Sequence, residues 1–261
     1  MIRKIFLLAF VLLTLCKVNF AQTSSTAYPG FSFPNSVPLP NVKFISGYAN
    51  VVTTGNVDLY TVPANRKAFV FGIYCYNYSG STSSNYAETK ISGTYYRISA
   101  TGTNTNLSVN NMNPAAPMVL PAGQTLSMNN TQQPLNCWAQ IAEFDATSSL
   151  QSIFLTSFAA SDNTIYTVTT GKTAVAAGGT GVGFSNFGYA TSSAATIHWN
   201  YVASGGTAGA TNQASAATAV ASGGANSSQS PGTMNSGDFV SINTSISTAG
   251  AQLAWVTVIE Q

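Results

Sequence analysis

The sequence predicts an all-β protein built as two tandem, duplicated β-sandwich domains of jelly-roll-like design. Three observations carry this. Short motifs recur in the same order in both halves. Apolar residues alternate with a period of two in the longest hydrophobic runs, and no long segment has a helical period. Clusters of Gly, Asn and Ser punctuate those runs at short intervals, as turns between short strands do.

Tyr60-Thr61-Val62 returns as Tyr166-Thr167-Val168, each followed by a lysine, Lys67 and Lys172. Phe44 to Tyr48 matches Phe154 to Phe158, and Pro117 with Gly123 to Asn129 matches Pro231 with Gly237 to Asn243. Trp138, Ile141 and Glu143 match Trp255, Val258 and Glu260. The offset drifts from 110 through 106 and 114 to 117 residues, as it does when only loops change length.

Residues 1–21 read as a secretory signal: Arg3 and Lys4, an apolar run from Ile5 to Leu15 too short to span a bilayer, and a cleavage site after Ala21. The expected location is therefore secreted, on a cell surface or a virion, with no membrane span in the mature chain. Residues 22–42 carry Pro29, Pro34, Pro38 and Pro40 and read as an extended arm. The first domain runs over 43–145, a linker over 146–149, and the second domain over 150–261. Within the second, residues 203–237 are dominated by Ala, Gly, Ser and Thr and read as a long loop.

Alternation in Ala68 to Tyr76 assigns Phe69, Phe71, Ile73 and Cys75 to one face and Tyr74, Tyr76 and Tyr78 to the other. In the last strand of the first domain, Leu135, Cys137, Ala139 and Ile141 share a face, with Trp138, Gln140 and Ala142 opposite. Cys75 and Cys137 thus both fall on the apolar side. In an oxidising compartment the simplest reading is a disulfide.

Composition excludes more than it selects. Charged residues are 6% of the chain, against roughly 25% in ordinary soluble domains. Cleavage at Ala21 removes Arg3, Lys4 and Lys17 and leaves six basic and seven acidic residues, so no basic footprint for nucleic acid exists. The single histidine, His198, sits in an alternating run, and no Gly-x-Ser-x-Gly elbow accompanies it. Glu143 and Glu260 are equivalent positions of the two copies rather than a glycosidase pair. No His/Cys cluster suits a metal. No catalytic residue, metal or cofactor is therefore expected. The binding candidate is the row Tyr74, Tyr76 and Tyr78, whose rings suit a protein interface or a sugar platform. The second copy answers this row with the glycine-rich stretch Ala176 to Gly181.

Leu59 to Ala64, Lys67, the hydrophobic strand ending near Asn77, and Leu120 to Leu126 together resemble a module of bacteriophage virion and tail-associated proteins. The resemblance implies a non-enzymatic, jelly-roll-like domain used in assembly or attachment, with no catalytic residues to carry over. The signal-like N-terminus departs from the virion pattern and keeps a secreted cell-surface protein in view. The expected function is structural: self-association or binding to other structural proteins. The alternative is a secreted carbohydrate-binding protein with glycans as partners.

Overall fold

The computed structural model describes residues 40–51, 54–78, 82–105, 108–131, 135–176, 187–206, 218–228, 233–247 and 252–261. The signal segment 1–21, nearly all of the proline-rich arm and the glycine-rich stretch 177–186 lie outside them. Among the described residues there is no helix, so none is long and apolar enough to cross a membrane.

The N-terminal half holds ten strands: β1 Lys43–Val51, β2 Gly55–Thr61, β3 Arg66–Asn77, β4 Ser83–Ile91, β5 Thr94–Arg97, β6 Gly102–Asn104, β7 Val109–Asn111, β8 Met118–Leu120, β9 Thr125–Asn130 and β10 Leu135–Asp145. Sheet I has the order β1-β10-β3-β7, with β8 also on β3, and sheet II the order β2-β9-β4-β5, with β6 also on β4. Every pairing is antiparallel. The first strand lies beside the last, and the second beside the last but one, which is the jelly-roll way of closing a sandwich.

The C-terminal half holds β11 Leu150–Leu155, β12 Asp162–Thr167, β13 Ala174–Ala176, β14 Phe187–Thr191, β15 Ala195–Val202, β16 Thr218–Val220, β17 Ala225–Ser228, β18 Thr233–Met234, β19 Phe239–Thr244 and β20 Gln252–Glu260. Sheet III runs β17-β14-β20-β13-β18 with β11 on β20, and sheet IV runs β12-β19-β15-β16. The order follows that of sheets I and II once β13 and β14 together stand for β3. Residues 203–237 are thus not one loop. They contain β16, β17 and β18, because an edge strand needs backbone partners more than large side chains.

Matching turns tie the halves together. Val62 N donates to Gln124 O and Gly123 N to Val62 O; Val168 N donates to Asp238 O and Gly237 N to Val168 O. Gly123 and Gly237 both take a positive φ, 80° and 81°, which a side chain disfavours. Tyr60 donates to Glu143 (2.8 Å) and Tyr166 to Glu260 (3.1 Å).

Register corrects three details of the sequence alignment. Tyr48 pairs with Trp138, whereas Trp255 pairs with Phe154, so Phe154 rather than Phe158 holds the place of Tyr48. Ala68 faces Glu143 as Ala174 faces Glu260, which puts Lys172 at the position of Arg66, not of Lys67. Tyr74 pairs with Trp138 as Gly188 pairs with Trp255, so the tyrosine row is answered by Gly188 and Ala190, not by the stretch from Ala176 to Gly181.

A fourth correction concerns β3. Its pairing with β10 passes from Gly72↔Gln140 to Val70↔Ile141 and leaves Phe71 as an extra residue. This bulge switches the faces. Val70, Ile73 and Cys75 enter the core of the first half, while Phe69 and Phe71 turn outward, away from Ile73 and Cys75. Cys75 and Cys137 form a disulfide across β3 and β10.

Each half has its own core. Ile73, Met118, Leu126 and Ile141 centre the first, and Phe187, Trp199, Ile242 and Val256 the second. The halves meet on the outer face of sheet III. Trp255 joins the first core cluster, and its indole N donates to Pro117 O (3.1 Å). Thr257 donates to the same carbonyl (2.6 Å), and Val119 N donates to Ser152 (2.8 Å). Phe69, Val119, Ala142 and Phe144 pack with Leu150 and Ile259. Lys67 closes the rim through its bonds to Ser148 O and Leu150 O.

Candidate functional site

The tyrosines expected to bind stand on the outer face of sheet I. Tyr48 on β1, Trp138 on β10 and Tyr74 on β3 form one cross-strand row, and Asn136, Tyr76 and Val109 the next. Paired residues in a sheet point to the same side, so these rings share one surface. Tyr74 stacks on Trp138 with centroids 5.8 Å apart and planes at 22°. Its ring lies flat along the strand because Gly72 leaves the space: a Cβ there would sit 2.7 Å from the ring. Tyr76 and Tyr78 form a second stacked pair at 6.3 Å and 21°.

Polar groups border the rings. The Tyr48 hydroxyl donates to Asn136 Oδ1 (2.9 Å), and Asn111 and Gln140 lie in adjoining positions. At the lower end Phe44 stands 6.1 Å from Phe71, above a shallow depression of about 130 Å³. Phe44 (54% exposed), Tyr48 (61%), Tyr78 (37%) and Val109 (56%) are the exposed large apolar side chains among the described residues. All four lie on this face.

The corresponding face of the C-terminal half is closed. There Gly188 takes the place of Tyr74, the Trp255 indole lies over it, and the N-terminal half covers both. A residue at the Gly188 position with any Cβ would displace the tryptophan. One face is thus flattened for packing, and its counterpart is built up with stacked rings.

The ionisable groups lie elsewhere. Arg66 pairs with Glu143 (2.8 Å) and with Asp145 at the foot of β10. Burial pulls the Glu143 carboxyl up, but the bonds from Tyr60 and Arg66 outweigh this and hold it below its usual range. Burial and the same bond push Tyr60 above its ordinary value, and Tyr166 beside Glu260 behaves alike. The two glutamates therefore serve one each in the two halves. On the outer face of sheet II, Asp58, Ser127, Glu88 and Arg97 form a cross-strand row. Ser127 donates to Asp58 (2.7 Å), and the Arg97 guanidinium lies 3.5 Å over the Tyr86 ring. Burial pushes Glu88 up to about 7, against the pull of Arg97.

His198 is half-buried on sheet IV, paired with Asn243. Asp162 beyond it accepts from Asn200 (2.9 Å) and Asn243 (3.1 Å). Among the described residues no group of three or more His, Cys, Asp or Glu side chains is placed to hold a metal.

Sequence reasoning found Tyr74, Tyr76 and Tyr78 but did not join them to Tyr48, Phe44 and Trp138. A signal for Trp138 was present. If Cys75 and Cys137 are cross-strand neighbours, the residues before and after them, Tyr74 and Trp138, must also be paired.

No protein-family model matches this sequence, and neither does any curated protein. Among solved structures, the chain is similar to the tandem CBM22-1-CBM22-2 domain of Paenibacillus barcinonensis Xyn10C at 8% identity and TM-score 0.24, over 89% of this chain and 93% of that one. It is also similar to a chain of Sulfolobus Turreted Icosahedral Virus at 7% identity and TM-score 0.26, over 84% of this chain and 59% of that one. A third similarity is to an archaeal virus protein described by its triple jelly-roll fold and turret assembly, at 9% identity and TM-score 0.27, with the same coverage. Likenesses this remote carry nothing about function.

Proposed function

We propose that this chain is a non-enzymatic structural or attachment protein of an extracellular or virion surface, made of two copies of one sandwich. It works through the outer face of sheet I. One observation carries the reading: the exposed large apolar side chains of the described residues gather on that face, around two stacked aromatic pairs. Clustered apolar exposure of this kind marks contact surfaces, whereas scattered exposure does not. The C-terminal half supports the same reading, since its corresponding face already serves as a protein interface. The Cys75–Cys137 disulfide fits an oxidising compartment. The low charge leaves little electrostatic repulsion between copies.

The test is solution mass by light scattering, with electron microscopy, on mature protein and on Tyr48→Ser and Tyr74→Ala variants. Oligomers or filaments lost in both variants support the reading. A protein that stays monomeric at high concentration and binds no virion or cell-surface component refutes it. A hydrolytic activity abolished by His198→Ala or Glu143→Gln refutes its non-enzymatic part.

A second reading rests on the polar border. The Tyr74–Trp138 stack flanked by Asn111, Asn136 and Gln140 offers a flat ring surface with amide groups beside it, which suits a sugar ring. Glycan-array binding by monomeric protein, lost on Tyr76→Ala, would select it.

A further inference from the structure

We infer that the aromatic face of sheet I receives the proline-rich arm, residues 28–37, of a second copy of this chain. The inference rests on the assembly reading above and names its partner.

The arm has the right period. In a polyproline II helix every third residue shares a face, with about 9.3 Å between successive ones. Tyr28, Phe31, Pro34 and Val37 recur at that spacing of three in the sequence, and all are apolar or aromatic. The positions one further on are Pro29, Ser32, Asn35 and Pro38. Tyr48 and Tyr74 stand on the two strands flanking β10, and strands two apart in a sheet are separated by roughly 9.6 Å. An arm crossing the strands therefore sets one apolar group near each tyrosine, with Trp138 between them. Proline-rich segments dock on aromatic surfaces in this way because their backbone is already extended and little ordering entropy is lost. Addition of the arm to the open edge of β1 is disfavoured, since Pro29, Pro34, Pro38 and Pro40 have no N–H to give a ladder.

The arm's point of departure favours a second copy over the chain's own face. Pro40 O accepts from Asp145 N (3.0 Å), and Asn41 O from the Arg66 guanidinium (2.6 Å), which holds the chain at the foot of sheet I. Val42 there packs against the cluster containing Leu150 and Ile259. The C-terminal half thus adjoins the chain where the arm leaves. Tyr48 lies eight residues further along, roughly 27 Å away. A return within one chain needs a full reversal just before residues 40–42, which are already fixed against β10 and Arg66, whereas a neighbour's arm needs no reversal. Head-to-tail exchange of this kind builds rings or filaments.

The experiment uses the full mature chain in four forms: unaltered, Phe31→Ser with Val37→Ser, Phe33→Ser with Leu39→Ser, and Tyr48→Ser. The first double variant breaks the apolar face of the arm, and the second removes similar residues from another face. Light scattering against concentration should show association weakened at least tenfold by the first pair and by Tyr48→Ser, and changed less than twofold by the second pair. A synthetic peptide of residues 26–39, added to the Phe31→Ser, Val37→Ser chain, should shift tryptophan emission saturably. Trp138 is the reporter, because Trp199 and Trp255 are fully buried. Three results overturn the inference: equal effects of the two double variants, no saturable shift with peptide, or a monomer whose emission already matches the peptide-bound state. Association that ignores the arm variants but is lost in Tyr48→Ser refutes the arm as partner and leaves the face as the assembly surface. Association that ignores every variant refutes both.

Discussion

Glu88 should make the chain more stable in mild acid than at neutral pH. Its side chain is only 7% exposed on sheet II, and burial lifts its carboxyl from 4.5 to about 7, with Arg97 pulling the other way. One carboxylate oxygen has no hydrogen-bond partner in the structure. Between pH 4.5 and 7 the folded chain holds this proton and the unfolded chain does not. The unfolded state binds fewer protons there, so stability falls as pH rises through the window. A carboxyl moved from 4.5 to about 7 corresponds to about 3 kcal/mol. For a chain of this size that is a drop of roughly 6–12 °C in Tm between pH 4.5 and pH 7.5. Glu143, Asp238 and Glu260, all held below their usual range, give the opposite slope, but only in more acid solution. The window for Glu88 is therefore separable. Urea unfolding at half-unit pH steps, on the native chain and on Glu88→Gln, measures it. The native slope should be negative between pH 4.5 and 7 and nearly flat in the variant. A native chain whose stability is level or rising across that window, or a variant that keeps the slope, refutes burial as the dominant influence on this carboxyl.

Further outcomes follow from the same structure. Replacing Cys75 and Cys137 by Ala should cost about 4 kcal/mol, the chain-entropy value for a separation of 62 residues, read by denaturant unfolding. Trp255→Ala should cost about 3–5 kcal/mol, as for a fully buried indole that also bridges to Pro117. Trp138→Ala, at the matching position on the half-open face, should cost about 1 kcal/mol or less in stability and be felt in association instead. Intact mass of protein exported by its own host should correspond to a chain starting at Gln22; one starting at Met1 would sink the signal assignment.

The strand content was legible because alternation is a local property. Leu135, Cys137, Ala139 and Ile141 were assigned inward from period two alone, and all four are buried. The same parity placed both cysteines on the core side, where they bond. The tyrosine row was legible for the same reason, since Tyr74, Tyr76 and Tyr78 alternate with core residues. Period two fails where an extra residue enters. At Phe71 the bulge reverses parity, and Phe69 leaves the face of Ile73. Nothing in Phe69-Val70-Phe71-Gly72 announces this, because every residue there is apolar or lacks a side chain and suits either side. The short strands β16, β17 and β18 were hidden for a related reason. These edge strands are mostly Ala, Ser, Thr and Asn, with Val220 and Met234 as single apolar anchors, and are held by backbone bonds to partners that composition does not display.

By itself the sequence determined an all-β chain, its inward residues wherever alternation runs unbroken, and the placing of Cys75 and Cys137 on the apolar side. Only the tertiary structure decided which of two matching tryptophans is core and which is surface. Trp138 and Trp255 sit at matching places in like strands, β10 and β20. Trp255 is buried because the other half lies across it, with its indole N bonded to Pro117 O and its ring in that half's core cluster, and Gly188 lets the ring lie flat. Trp138 has Tyr74 stacked against it instead, and both rings stay partly exposed. Burial of an outward face depends on what arrives from elsewhere in the chain, and that is a property of packing, not of local pattern.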